Sequence, residues 1–137
     1  MNKFDRDLSY GQYAELYIGA VHPTWVRNGG LGVDFTLPNG KTLELKAERR
    51  SSWETANIAV EIESSPGTPG AIYRAKAEGA AYIAYLFADN AFFIYTVDEV
   101  LKKLEGKRVI SVPNANYDTK IVLVPRAELR AVPIEDL

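Results

Sequence analysis

The sequence predicts an α/β domain in which a mixed central β-sheet is flanked by helices. Three observations carry that prediction. Apolar residues at helical spacing open the chain, period-two alternation follows in several short runs, and these runs are separated by another helical segment. The 137 residues fit one domain on a prior of roughly 150 residues per domain, and no linker, repeat or low-complexity tract divides them.

The first helix is expected over about residues 9–21, with Ser9 and Gln12 as a capping box and His22-Pro23 as the stop. Arg27-Asn28-Gly29-Gly30 reads as a loop. From Gly32 onward Val33, Phe35 and Leu37 alternate with Asp34 and Thr36. Beyond Pro38-Asn39-Gly40, Leu43, Leu45 and Ala47 alternate with Thr42, Glu44 and Lys46, which makes a β-hairpin. A two-residue Asn39-Gly40 loop would set Phe35 opposite Glu44. A three-residue loop, with Pro38 and Asn39 in a type I turn and Gly40 left-handed, sets Phe35 opposite Leu43 and Asp34 opposite Glu44. Only the second register keeps one face apolar. A third strand is expected over 57–64, with Asn57, Ala59, Glu61 and Glu63 on one face. After a Pro/Gly loop come a helix over 71–80 and a hairpin of 82–87 with 92–97. A short helix over 99–104 follows, capped by Asp98 and closed by Gly106, then strands over 109–112 and 120–124.

Composition removes several classes of function. Apolar residues form 47% of the chain and charged residues 25%, as expected of a chain that folds. There is no cysteine, so disulfides, thiolate metal sites and thiol catalysis are excluded, and a single histidine, His22, excludes a multi-histidine site within one chain. No apolar run approaches the ~18 residues of a membrane span, and the charged N-terminus does not begin a secretory signal, so a cytoplasmic protein is expected. Sixteen basic against 18 acidic residues leave a net charge of −2, which argues against a DNA-coating protein. A local basic groove beside a carboxylate cluster is compatible with that sum.

The hairpin register brings Asp34 and Glu44 together, with Cβ atoms expected ~5 Å apart, and puts Lys46 on the face of Glu44. Such oxygen ligands suit Mg²⁺ or Mn²⁺, which bind through one or two carboxylates and complete their shell with water and substrate phosphate. A wet hairpin face carries the same residue types for solubility alone.

Asp34 followed by Glu44-Leu45-Lys46 on the next strand resembles the PD-(D/E)XK nuclease motif, although Val33 precedes Asp34 where many members have proline. The order of elements over about residues 5–87 is similar as well. The resemblance implies a restriction-endonuclease-like core and a Mg²⁺-dependent endodeoxyribonuclease, with Asp34 and Glu44 as metal ligands and Lys46 positioning the attacking water. Among members resembling phage endonuclease I and Holliday-junction resolvases, the leading helix adds a glutamate, for which Glu15 is the match. Those members imply branched, four-way-junction DNA as substrate, a homodimer, and the host cytoplasm if the chain is phage-encoded. A restriction-like or single-strand-specific nuclease of the same fold is an alternative, as is a non-catalytic α/β interaction module.

Glu61 and Glu63 point toward the motif if their strand neighbours that of Glu44, as outer members of the site or as solvated edge residues. Arg49, Arg50, Arg74 and Lys76 are candidate DNA contacts, with scattered surface charge as the alternative. Tyr10, Tyr13 and Tyr17 share one side of the first helix, where packing or a dimer surface explains them best. Trp25 and Trp53 are expected to be structural, and His22 to be a surface residue.

Overall fold

A computed structural model describes the backbone of residues 3–29 and 32–137, with side chains described from Tyr10 onward; Gly30, and the Ser9 side chain of the capping box, lie outside the described residues. The first helix, α1 (Lys3–Val21), begins six residues before the expected start. Leu8 and Arg6 have high intrinsic helix propensity, so the helix runs back through Ser9. It ends as expected before Pro23, with the His22 N–H donating to the Ile18 carbonyl at 2.9 Å.

Among the described residues nine strands form two sheets. The first is mixed, in the order β1 (Val26–Arg27), β2 (Phe35–Thr36), β3 (Thr42–Ala47), β6 (Tyr82–Leu86) and β7 (Phe92–Thr96). Only β3 and β6 run parallel, so the chain must cross over between them, and the crossover carries β4 (Asn57–Ser65), β5 (Thr68–Pro69) and α2 (Ala71–Ala77). The second sheet is antiparallel, in the order β5, β4, β9 (Asp118–Pro125) and β8 (Val109–Pro113). The condition that the third strand neighbours the strand of Glu44 is not met. β6 takes the free edge of β3, pairing Glu44 with Ile83 and Lys46 with Tyr85, and β4 pairs with β9 instead.

The α3 helix (Val97–Lys103) is capped by Thr96, whose Oγ accepts from the Glu99 N–H at 3.2 Å, rather than by Asp98. Either residue type can cap, and β7 delivers Thr96 to that position. Two cores sandwich the five-stranded sheet. On one face Phe35, Leu43 and Leu45 pack against Ala14 and Ile18 of α1 and against Trp25. On the other, Ile83, Tyr85 and Tyr95 meet Ile58, Val60, Val122 and Val124 of the second sheet, with Ile72 and Val100 from α2 and α3. Burial of both faces explains why every residue of β6 is buried. Trp53 is not structural in this sense, being 79% exposed. None of the described helices is long and apolar enough to cross a membrane.

Candidate active site

The motif hairpin has the three-residue loop. The Gly40 N–H donates to the Leu37 carbonyl at 2.9 Å, Gly40 has φ +82°, and the Leu37 N–H donates to the Lys41 carbonyl at 2.9 Å. Phe35 therefore opposes Leu43, the two being fully buried, while Glu44 and Lys46 occupy the opposite, half-buried face of β3.

Asp34 stands just before β2 and is held by the backbone on both sides. Its Oδ2 accepts the Leu45 N–H at 2.7 Å, and its carbonyl accepts the Asn28 N–H at 2.8 Å. Its carboxyl is close enough to those of Glu44 and Glu15 for each to shift its titration. Burial, followed by the neighbouring Glu44 carboxylate, pushes Asp34 up to about 6. Glu15 reaches the cluster from α1, one residue after buried Ala14, and its carboxyl is also raised, by burial and then by Asp34. Arg27 of β1 opposes that rise, donating to Glu15 at 2.9 Å. The three carboxylates thus meet in pairs through Asp34. Among the described residues no group of three or more His, Cys, Asp or Glu side chains is placed to hold a metal ion, so a cation here would rest on two carboxylates, water and substrate.

Lys46 makes no ion pair with a described residue. It lines a depression with Tyr10, Glu48, Arg49 and Glu61, and a deeper one floored by Ile83 and Tyr85. Glu61 arrives there from the second sheet, although β4 and β3 are not paired. It is anchored by the Ala71 N–H at 3.1 Å, at the start of α2, and by Arg74 at 3.6 Å. Glu63 does not follow it. A bulge between the two sets Glu61 against Ile121 but Glu63 against Lys120, the adjacent residue of β9. Adjacent strand residues face opposite ways, so Glu63 is turned to the other face, where Lys120 pairs with it at 3.7 Å.

The candidate cations divide likewise. Arg49 lies over the Tyr10 ring at 5.2 Å and lines the Lys46 depression, whereas Arg50 bonds Glu48 at 3.2 Å and Arg74 holds Glu61, each reaching that depression only through the glutamate it pairs with. Lys76 pairs with Asp98 at 2.6 Å in a separate depression lined by Lys41 and Ala81, so it is not brought to the carboxylates. Tyr10 has a specific task beyond packing: its hydroxyl donates to the Glu48 carbonyl at 3.0 Å and ties α1 to the end of β3. Tyr13 and Tyr17 continue the row, ring centroids 6.1 Å apart, with Tyr13 half exposed. Arg27 was hidden in the sequence, where it sits in an apparent loop; the two-residue strand that presents it is too short to show alternation. A scan against protein-family models and a search of curated proteins both found no match to this chain.

Proposed function

We propose that this protein is a Mg²⁺- or Mn²⁺-dependent DNA endonuclease of the PD-(D/E)XK type. The observation that supports it best is that Asp34, from the turn before β2, couples to both Glu15 of α1 and Glu44 of β3, with Lys46 two residues on along β3 making no ion pair with a described residue. Stability alone does not favour such a cluster, since a carboxyl pushed up to about 6 by burial and a neighbouring carboxylate is an electrostatic cost at neutral pH.

The donor set fits a hard divalent cation. Two carboxylates suffice for Mg²⁺, and a cation would offset the burial and the Glu44 neighbour that raise Asp34. Asp34 and Glu44 would hold it, with Glu15 as a third carboxylate, and it would supply charge neutralisation at the scissile phosphate. The chain's own residues supply the rest. The Leu45 N–H fixes the Asp34 carboxylate, and Arg27 fixes that of Glu15. Lys46 positions the water whose oxygen bonds to phosphorus as one ester P–O bond breaks. Arg49 lines the Lys46 depression, and Arg74 lies behind it on Glu61, as the cations for the DNA backbone. Branched DNA as substrate and a symmetric homodimer complete the proposal, both resting on the resemblance of the motif.

The test is cleavage of labelled single-stranded, duplex and four-way-junction DNA with Mg²⁺, Mn²⁺ or EDTA. Metal-dependent cutting that is lost in Glu44→Ala and Lys46→Ala is the expected result. A folded protein that cuts no DNA, or variants that cut as well as the wild type, would overturn the proposal and favour the non-catalytic module.

A further inference from the structure

Glu61 borders three adjoining depressions, and the largest, about 680 Å³, has no part in the chemistry above. It lies between β4 and the β8–β9 hairpin, in the range of small-ligand sites. Ala59, Val112 and Ile121 give it apolar walls, and Asn114 and Asn116 bring side-chain amides. The Asn114 N–H donates to the Tyr117 carbonyl at 2.8 Å and closes the hairpin turn, leaving the Tyr117 ring 45% exposed.

We propose that this depression receives one unpaired nucleobase of the DNA strand being cut, stacked on Tyr117. This rests on the nuclease reading and names the form of its substrate. Charge argues for a base rather than a phosphate. No lysine or arginine lines the depression among the described residues, whereas Arg49 lines the neighbouring one that contains Lys46. An aromatic face, an apolar wall and the Asn116 amide, which can both donate and accept, are the groups that hold a splayed base, the Asn114 amide already donating to Thr119 Oγ1. Glu61 lines both this depression and the one that contains Lys46, so the two adjoin. A base held in a duplex cannot enter, so the nucleotide must be unpaired, as at an overhang, flap or open junction.

The test uses a duplex with 2-aminopurine in a single-stranded overhang, bound in EDTA and read by fluorescence, with cleavage of the same DNA measured separately in Mg²⁺. Stacking on Tyr117 quenches the probe in the wild type and in Tyr117→Phe. In Tyr117→Ala the quenching is lost, and affinity for the overhang DNA falls roughly tenfold. Tyr117 is exposed, so the variant is expected to fold. Quenching that persists in Tyr117→Ala, or never occurs, overturns the base site. Cutting without Tyr117-dependent quenching leaves the nuclease standing and removes the base site. Quenching without cutting does the reverse.

Discussion

Replacing Asp34 with asparagine should make the metal-free protein more stable. Asp34 ordinarily titrates at 3.8 and is pushed up to about 6 in the fold, so above pH 6 its ionised form opposes folding. A displacement of that size corresponds to about 3 kcal/mol at most, and to about 1–2 kcal/mol after screening of a partly exposed group. The sign follows from proton counting. Between pH 3.8 and about 6 the folded state holds a proton that the unfolded state has lost, so this contribution is present below pH 3.8 and disappears as pH rises through about 6. Asparagine keeps an oxygen for the Leu45 N–H and removes the charge. Thermal melts in EDTA should show Asp34→Asn above the wild type by roughly 3–10 °C at pH 8, with the difference closing toward pH 4. Adding Mg²⁺ should then raise the wild type, by about 1.4 kcal/mol at ten times its dissociation constant, and leave the variant unmoved. An Asp34→Asn protein less stable than wild type at pH 8, or a gap that is the same at pH 4, would refute the electrostatic account. A variant that still responds to Mg²⁺ would refute the ligand assignment.

Two further substitutions probe the surroundings. Arg27→Ala removes the cation that holds Glu15 down, so Glu15 should titrate higher, seen by NMR, while stability changes by less than ~1 kcal/mol because the pair is exposed. Gly70→Ala should cost about 1–3 kcal/mol or more in urea unfolding, because a Cβ there would lie 2.2 Å from the Glu61 carbonyl oxygen, with backbone on both sides.

The motif hairpin was legible down to its register because Pro38, Asn39 and Gly40 specify one loop and the apolar face permits one pairing. The second hairpin was equally legible, and β6 and β7 pair as the two apolar runs around Ala88-Asp89-Asn90 suggest. The partner of β4 was not. Alternation tells which face of a strand is buried but not which sheet buries it, and Asn57 pairs with Pro125 at the far end of the chain. The bulge that separates Glu61 from Glu63 is a property of that distant pairing, so it was invisible for the same reason. Arg27 and the extended start of α1 were missed because each rests on a segment too short or too polar to show a period.

The long-range pairing of β4 with β9 also sets an order in time. During synthesis the five strands of the first sheet are all available once Thr96 has emerged, whereas β4 must wait for Asp118–Pro125. Loops that close early cost less entropy, so the sheet that carries Asp34, Glu44 and Lys46 can assemble while the second sheet is still half made. Until β9 arrives, Ile58 and Val60 lack the Val122 and Val124 that cover them, and one edge of β4 stands unpaired. That interval is when the nascent chain is most exposed to aggregation.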